Sequence, residues 1–160
     1  MAIERSLVLI KPDGVQRTLS GEIIGRFEKV GLKIVGMKMT WIDRDFSKKH
    51  YDAHVAKPFY KGLEDYITEG PVIAMVLEGL HAIEIIRKMV GSTEPRKAQP
   101  GTIRGDFSHH SYEYTDPKGI AIKNLIHASG EKKDAEKEIK LWFKKEELHS
   151  YKTVHEKHVF

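Results

Sequence analysis

The segment Val72-Ile73-Ala74-Met75-Val76-Leu77 is an unbroken run of apolar residues, and the turn residues Gly70-Pro71 come directly before it. A continuous apolar run bounded in this way is typical of a strand that is buried on both faces. A second run, residues 6–10, is apolar after its first residue and ends at Lys11-Pro12-Asp13-Gly14, a strong turn signal. Both segments are predicted to be core strands, with residues 72–77 at the centre of the sheet.

The segments beside these strands show two further periodicities. Residues 20–30 and 80–90 place apolar side chains at helical spacing, and each segment is followed by a glycine, a typical helix stop. Residues 32–41 alternate between apolar and polar side chains instead. This alternation predicts a long half-buried strand with a bulge at Gly36.

The apolar pair Leu125-Ile126 predicts the end of one more short core strand. The order of the elements is then strand, helix, strand, strand, helix, strand. This βαββαβ order is the ferredoxin-like α+β arrangement, in which a four-stranded antiparallel sheet carries helices on one face. Residues 43–51 and 59–68, separated by Pro58, are expected to add a helical hairpin on the flank of the domain.

The chain has 160 residues and is expected to form a single domain over residues 1–160. Residues 92–123 show little periodicity, which predicts a long loop that is either ordered or disordered. Loops of this length inside a compact domain often carry function. Residues 144–160 are charged and aromatic without a clear period, so they are expected to form a C-terminal extension against the domain or a neighbouring subunit.

The composition limits the class of protein. Hydrophobic residues make up 40% and charged residues 31% of the chain, which is ordinary for a soluble globular protein. The net charge of +4 suits an anionic ligand such as a nucleotide, but the charges are too dispersed to demand a nucleic-acid surface. Because the chain has no cysteine, disulfide frameworks and thiolate metal sites are excluded, and a cytoplasmic protein is expected. No secretory signal and no membrane-spanning apolar run are visible.

The stretch Asn124-Leu125-Ile126-His127-Ala128-Ser129 is the strongest candidate for a catalytic centre. His127 lies at the end of a predicted strand, just before a helix that is expected to begin near Glu131 with Ser129 as its cap. Unpaired N–H groups and the helix dipole favour an anion such as phosphate at this position. The alternative is an ordinary core or surface histidine in a loop.

Three cations elsewhere in the chain, Lys11, Arg87 and Arg104, also lie next to turns or glycines. Together with His127 they favour a polyphosphate site. In Gly101-Thr102-Ile103-Arg104-Gly105-Asp106 the glycines would let the backbone approach a ligand while the guanidinium contacts phosphate oxygens. Lys11 could instead be a solvated cap at the end of its strand.

Arg87 and Glu138 are charges placed near the apolar sides of predicted helices. At 100° per residue, Arg87 falls beside the apolar face of residues 80–90, and Glu138 lies on the flank of the apolar stripe of the last helix. A charge on an inward face requires a partner. Both are therefore site candidates, although each could merely snorkel to solvent or form a structural ion pair.

Seven segments in the same order along nearly the whole chain are similar to the nucleoside diphosphate kinase family. The segments are Leu9-Ile10-Lys11-Pro12-Asp13-Gly14, His50-Tyr51, Lys57-Pro58-Phe59, Gly70-Pro71-Val72, Pro100-Gly101-Thr102-Ile103-Arg104-Gly105-Asp106, Asn124-Leu125-Ile126-His127-Ala128-Ser129 and Ala135-Glu136-Lys137-Glu138-Ile139. Seven ordered matches are far more specific than any one of them. The sixth corresponds to the family's active-site pattern, Asn-x-x-His-[Gly/Ala]-Ser.

The resemblance implies transfer of the terminal phosphate of a nucleoside triphosphate, typically ATP, to a nucleoside diphosphate by a ping-pong mechanism. His127 would be the nucleophile and would carry the phosphate as a pros-phosphohistidine. Glu138 and Ser129 would support the histidine, with Tyr51 close to it.

The resemblance also implies nucleotide-binding roles. These fall to Lys11 for sugar and phosphate, Arg87, Thr93 and Arg104 for the phosphates, Asn124 for the ribose hydroxyls and Phe59 for the base. Stacking on an aromatic ring tolerates every base, so broad nucleotide specificity is expected. Mg²⁺ would bridge phosphate oxygens, with no protein residue assigned as its ligand. The family assembles as tetramers or hexamers, which implies a homo-oligomer.

Two features depart from the family pattern. Gly130 stands where many relatives have Asp, and residues 107–123 form a longer segment than usual. No catalytic or metal-binding role is expected for the remaining histidines. His50 and His54 are expected to be structural because no carboxylate completes a convincing metal site, and His109-His110 are expected to be solvated.

Two other classes of function are considered. RNA-recognition modules share the βαββαβ order, but their strand motif with alternating glycines and aromatic residues is absent, and residues 72–77 are aliphatic. An inactive structural or regulatory relative is the second alternative. The complete set of matched polar residues argues against lost activity.

Overall fold

The computed structural model describes residues 3–154 and 156–159. Its four-stranded sheet consists of β1 (Ile3–Ile10), β2 (Lys33–Thr40), β3 (Val72–Leu80) and β4 (Ile126–Ala128). The strands lie in the order β2-β3-β1-β4, and every neighbouring pair is antiparallel. The predicted ferredoxin-like α+β arrangement is confirmed, with β1 and β3 at its centre.

Nine α-helices lie in the described part of the chain. They are α1 (Pro12–Gln16), α2 (Ser20–Lys29), α3 (Arg44–His50), α4 (Tyr60–Thr68), α5 (Ala82–Val90), α6 (Ile103–Phe107), α7 (Tyr112–Thr115), α8 (Lys132–Trp142) and α9 (Glu156–Val159). The sequence predicts α2, α3, α4, α5 and α8, whereas the others are too short to show a period. None of these helices combines the length and the apolar character needed to cross a bilayer.

Both faces of the central strands are covered. Successive residues of a strand point to opposite faces. Val8 and Ile10 of β1 therefore pack with α2 and α5, while Leu7 and Leu9 pack with α4 and α8 on the other side. The two helices of the βαββαβ repeat share one face, as predicted, and the additional helices cover the second. Because β1 and β3 have no open face in the described residues, the sheet surface that RNA-recognition modules use is not available.

The bulge predicted at Gly36 is present, since the register of β2 against β3 shifts just before this residue. The C-terminal segment contacts the edge strand at this point, where the backbone N–H of His149 donates to the carbonyl of Val35 at 2.7 Å. A Cβ atom at position 36 would lie 2.8 Å from Cδ2 of Leu148. Glycine therefore allows the C-terminal segment to pack closely against β2.

One predicted helix start is wrong. Leu80 is the last residue of β3, and α5 begins at Ala82. The strand continues past its apolar run because Glu78 forms ion pairs with Arg5 on β1 at 2.8 Å and with Lys33 on β2 at 3.0 Å. The boundary between β3 and α5 is therefore determined by contacts between strands, which the periodicity of the local sequence does not reveal.

The segment between α5 and β4 has a defined conformation built from short helices. Asp106 accepts a hydrogen bond from the backbone N–H of Gly101 at 2.8 Å and forms an ion pair with Arg26 of α2 at 2.7 Å. Arg96 and Glu113 are joined at 2.6 Å. Of the two alternatives left open by the sequence, the ordered loop is correct, and it packs beside α2 and the end of α5.

Candidate active site

His127 is the central residue of β4, lies opposite Leu9 of β1, and has 21% of its side chain exposed. Its Nε2 atom lies 3.0 Å from Oε1 of Glu138 on α8. An ionised carboxylate only accepts hydrogen bonds, so Nε2 carries the ring hydrogen. Among the described residues Nδ1 has no hydrogen-bond partner. The ring is therefore held at one nitrogen and presents a lone pair at the other.

Ser129 and Glu138 form the support of this ring. The hydroxyl of Ser129 donates to Oε2 of Glu138 at 2.6 Å and accepts from the backbone N–H of Leu7 at 3.2 Å. Burial by itself would raise the pKa of Glu138, but the hydrogen bonds from His127 and Ser129 outweigh it and hold that pKa below its ordinary value. The carboxylate is thus ionised at neutral pH.

The predicted role of Ser129 as a helix cap is wrong. Glu131 occupies the N-cap position of α8, with no side-chain hydrogen bond to the helix. Ser129 is fully buried and its hydroxyl is directed to Leu7 and Glu138 instead. Cap chemistry and active-site chemistry use the same residue type, so the sequence alone does not separate them.

Lys11 is buried at the end of β1, with 6% of the residue exposed, so the alternative of a solvated cap is wrong. Its ammonium donates to Oδ1 of Asn124 at 2.8 Å. Burial, followed by the charge of Arg104, lowers the pKa of Lys11 to about 7. A buried amine that is half protonated at neutral pH is poised to respond to an arriving anion.

Asn124 links Lys11 to the loop that follows α5. Its side-chain amide donates to the carbonyl of Thr93 at 2.9 Å, while its Oδ1 accepts from Lys11. The side chain of Thr93 is exposed above this contact. Three residues that the resemblance assigns to nucleotide binding are therefore connected by hydrogen bonds.

Arg104 is buried and braces the backbone around the site. Its guanidinium donates to the carbonyls of Asn124 at 3.1 Å, Gly91 at 3.2 Å and Ile126 at 2.5 Å. Burial, followed by the charge of Arg87, lowers the pKa of Arg104 to about 10. Three of the five N–H donors are used in this way, so two remain for a ligand.

Of the other predicted residues, Arg87 and Phe59 are exposed and Tyr51 is buried. Arg87 is exposed rather than directed into the core, so the inward placement predicted from its helix is wrong, although its charge acts on Arg104. Phe59 is 57% exposed. Tyr51 is buried with its hydroxyl unpaired among the described residues, and burial raises its pKa well above the ordinary value.

Asp13 and Tyr66, to which the sequence assigns no chemical role, hold the backbone of the stretch that contains His127. Leu125 has a φ of 72°, in the left-handed region that a branched residue rarely adopts. Asp13 accepts from the backbone N–H of Leu125 at 3.2 Å and from the hydroxyl of Tyr66 at 2.6 Å. Asp13 belongs to one of the seven matched segments, but nothing local to that segment indicates this contact.

One group of side chains of metal-ligand type occurs within the described ranges. It comprises His50, His127 and Glu138, whose ligand atoms lie within 4.8 Å of one another. Both carboxylate oxygens of Glu138 are already occupied by His127 and Ser129. The group is therefore a hydrogen-bonded cluster rather than an open set of ligands.

A family model described as nucleoside diphosphate kinase matches residues 4–148. A nucleoside diphosphate kinase of Pyrococcus horikoshii is 61% identical over 148 residues, which cover 92% of this chain and 90% of that protein. A nucleoside diphosphate kinase of Archaeoglobus fulgidus is 48% identical over 159 residues, which cover 99% of this chain and 98% of that protein.

Two solved structures are similar over nearly the whole chain. A transition-state mimic of the Borrelia burgdorferi nucleoside-diphosphate kinase with bound vanadate and ADP superposes with a TM-score of 0.96 at 45% identity, covering 99% of this chain and 98% of that one. A halophilic nucleoside diphosphate kinase from Halobacterium salinarum in complex with CDP has a TM-score of 0.86 at 41% identity, covering 98% of both chains.

Proposed function

Because this chain belongs to the nucleoside diphosphate kinase family, we propose that His127 is the residue that carries the phosphate during its reaction. The enzyme transfers the terminal phosphate of a nucleoside triphosphate to a nucleoside diphosphate through a phosphohistidine. One observation carries the assignment of the residue: Glu138 holds Nε2 of His127 at 3.0 Å, and Nδ1 remains available.

The chemistry follows from that arrangement. The lone pair of Nδ1 attacks the terminal phosphorus, an N–P bond forms, and the bond to the bridging oxygen breaks with departure of the nucleoside diphosphate. A neutral imidazole is already nucleophilic, so no separate base is needed. Phosphorylation makes the ring cationic, and the Nε2–H bond to Glu138 stabilises that charge. A second nucleoside diphosphate then attacks the same phosphorus from its own terminal oxygen and regenerates the histidine.

A second set of residues is proposed to bind the phosphates. The phosphate oxygens would be contacted by Lys11, Arg87, Thr93 and the two remaining N–H donors of Arg104. The hydroxyl of Tyr51 would lie near the transferred phosphate. Phosphoryl transfer depends mainly on positioning and on neutralising charge over the equatorial oxygens. Lys11 would become fully protonated beside a polyphosphate, because an adjacent anion raises the pKa of an amine.

The nucleoside is proposed to lie between Asn124 and Phe59. Asn124 would bond the ribose hydroxyls, and the exposed ring of Phe59 would stack on the base. A π-face accepts purines and pyrimidines alike, which supports broad nucleotide specificity. The relatives of known structure include one with ADP and one with CDP, a purine and a pyrimidine nucleotide.

Mg²⁺ is proposed as the cofactor, held mainly by nucleotide phosphates. The donor set of the described residues fits this proposal, because the cluster around Glu138 has no carboxylate oxygen left for an ion. When bound, Mg²⁺ supplies positive charge to the phosphate oxygens. The protein side chains bind the remaining oxygens and orient the nucleotide against Nδ1.

The chain is proposed to form a single domain over residues 1–160, with a loop at 92–123 and a C-terminal extension at 144–160. This domain is proposed to assemble into a tetramer or hexamer. Its proposed location is the cytoplasm, where nucleotides are made and used. Support for assembly comes from β2, an edge strand. Met37 and Met39 of this strand and Trp41, which directly follows it, are 52%, 60% and 66% exposed. An apolar row on an unpaired edge favours association with another copy.

Incubation with γ-labelled ATP tests the proposed role of His127. We expect the wild-type enzyme to acquire an acid-labile, base-stable label and His127→Ala to acquire none. His149→Ala, which alters an exposed histidine far along the chain, serves as the matched control and should label like wild type. Unchanged nucleotide turnover in His127→Ala would refute the assignment.

A further inference from the structure

His50 is a buried histidine that the proposed reaction does not use. It is the last residue of α3, with 9% of its surface exposed. Its ring lies against the rings of His127, Tyr51 and Trp142, at centroid distances of 4.8, 4.5 and 5.4 Å. The sequence gives it only a structural role, yet it directly contacts the proposed nucleophile.

Trp142 determines which nitrogen of His50 carries the hydrogen. The indole Nε1 lies 3.1 Å from Nδ1 of His50, and an indole N–H can only donate. Nδ1 must therefore be the acceptor, and in the neutral ring the hydrogen lies on Nε2. Nε2 is buried and has no hydrogen-bond partner among the described residues.

Burial keeps the ring of His50 neutral. Burial, followed by the charges of His127 and Lys11, lowers its pKa to about 3, and Glu138 and Asp52 offset this only in part. The ring of His50 therefore has a fixed tautomer and no charge at any pH at which the enzyme is expected to work.

The hydrogen bonds of this cluster disfavour a metal ion between His50, His127 and Glu138, because an ion would have to displace them. A histidine nitrogen that binds a metal must lack its hydrogen. Nδ1 of His50 is occupied by the Trp142 indole and Nε2 carries the hydrogen, so neither nitrogen offers a lone pair to an ion. The proximity of the three residues requires another explanation.

Orientation of the nucleophile provides that explanation. The bond from Nε2 to Glu138 restrains one atom of the His127 ring, but rocking of the ring about its Cβ–Cγ bond would still displace Nδ1. The rings of His50 and His127 are nearly perpendicular, with an interplanar angle of 84°. A fixed ring packed in this way opposes that rocking.

We propose that His50 is a positioning residue, whose ring, fixed by Trp142, holds the His127 ring in the plane from which Nδ1 attacks phosphorus. This inference rests on the proposed role of His127 and adds the requirement that a neighbouring ring holds His127 in the orientation for attack. Displacement of a reacting atom by a fraction of an ångström to 1 Å is enough to slow a reaction by one to two orders of magnitude.

Rapid mixing of the intact enzyme with ATP measures the rate of phosphohistidine formation. His50→Gln keeps a carbonyl acceptor for the Trp142 indole but removes the ring, so we expect this rate to fall about tenfold. The affinity for ADP, measured by calorimetry, should stay within about twofold, because the ring of His50 packs on Tyr51, His127 and Trp142 rather than on a residue proposed to bind the base or ribose. His149→Gln is the matched control and should behave like wild type.

The ¹⁵N NMR signals of His127 report its orientation independently of turnover. We expect one Nε2-protonated tautomer, set by Glu138, in both proteins, with the His127 signals broadened by ring motion in His50→Gln. If His50→Gln does not fold, Trp142→Phe removes the indole N–H that binds Nδ1 of His50 while keeping an aromatic ring, and it should lower the phosphorylation rate about threefold.

The outcomes separate this inference from the proposed function. A wild-type enzyme without label overturns the role of His127 and this inference with it. A labelled wild type, with wild-type rate and NMR signals in His50→Gln or in Trp142→Phe, overturns the inference alone. Equal losses of phosphorylation rate and ADP affinity in the folded variant also overturn it, because they would indicate a general structural defect.

Discussion

At the scale of single residues, the site depends on side chains that are each bonded on more than one side. Glu138 uses one carboxylate oxygen for His127 and the other for Ser129. Lys11 and Arg104 are buried cations beside one another, and burial lowers the pKa of both. Such an arrangement lowers the stability of the unliganded protein, and an anionic ligand would relieve that cost.

Ser129→Ala removes the hydrogen bond to Glu138 and the acceptor of the Leu7 N–H. A hydrogen bond to a charged group contributes about 1.5–3 kcal/mol, so we expect the rate of phosphohistidine formation to fall by tenfold or more. Thermal denaturation should also show a loss of about 1–3 kcal/mol, because the buried N–H of Leu7 becomes unpaired.

Ser150→Ala, at an exposed position, is the control for Ser129→Ala and should change neither quantity. If Ser129→Ala keeps the wild-type phosphorylation rate, Glu138 does not need this hydroxyl for its role.

Lys11 should make the stability of the protein depend on pH. The pKa of Lys11 is about 7 in the folded protein and 10.5 when the lysine is exposed. Between these values the unfolded chain binds more protons, so the free energy of unfolding rises as the pH increases from about 7 towards 10.5. At lower pH this contribution is lost.

Urea denaturation at pH 7 and pH 9.5 measures this dependence. Lys11→Met should remove it, so that the difference in stability between wild type and variant changes with pH. Parallel pH profiles would show that Lys11 titrates in the folded protein as an exposed lysine does.

At the scale of elements, periodicity predicts the strands and long helices, and tertiary contacts determine the rest. The alternation in residues 32–41 predicts β2 and its bulge, and the apolar run at 72–77 predicts the core of β3. The extension of β3 to Leu80 is not predictable from this run, because it depends on ion pairs between Glu78 and residues on two other strands.

As with the fold, the sequence predicts part of the candidate site, and contacts between distant segments determine the rest. Motif resemblance predicts paired roles for His127 and Glu138, and the structure places these two side chains within hydrogen-bond distance. The left-handed backbone of Leu125 and the ring contact of His50 could not be predicted, because both depend on segments distant in the sequence. The inward placement predicted for Arg87 is wrong because helical spacing gives the direction of a side chain around the helix axis. It does not show whether the neighbouring elements extend far enough to cover that side chain.

Two glycines should respond oppositely to substitution. Gly25 lies within α2 with nothing within 4 Å of an added Cβ, so Gly25→Ala should stabilise the protein by about 0.5–1 kcal/mol. At Gly36 the added Cβ would lie 2.8 Å from Leu148 and 3.1 Å from the carbonyl of Glu147, so Gly36→Val should destabilise it by about 1–3 kcal/mol.

Urea denaturation of both glycine variants checks this pair. Equal stabilities of wild type and Gly36→Val would mean that the C-terminal segment does not pack closely against β2.

At the scale of the whole molecule, the sheet has one edge that is only partly covered. The C-terminal segment binds β2 near Val35. The exposed row of Met37, Met39 and Trp41 begins beyond Gly36 and ends one residue after the strand. The opposite edge strand, β4, carries His127, the proposed nucleophile. Assembly through β2 would therefore leave each catalytic centre on the far side of its own sheet.

Met39→Lys should weaken assembly, because a charge on an apolar edge strand opposes pairing with a second copy. Sedimentation velocity is expected to show a shift to smaller species for this variant. Val154→Lys changes an apolar residue that is 93% exposed outside the edge strand and should leave the assembly intact. A wild-type enzyme that sediments only as a monomer would contradict the proposed homo-oligomer.

His127 belongs to a strand that is hydrogen-bonded to the central strand of the sheet, so its backbone has no freedom to follow a departing group. The nucleoside triphosphate of the first step and the nucleoside diphosphate of the second step are therefore proposed to react at the same fixed His127 ring. Because the phosphate bond broken in the donor is of the same type as the bond made in the acceptor, the overall reaction has no strongly preferred direction. The relative abundance of the nucleotide pools in the cell, rather than any movement of the enzyme, then decides which way phosphate flows.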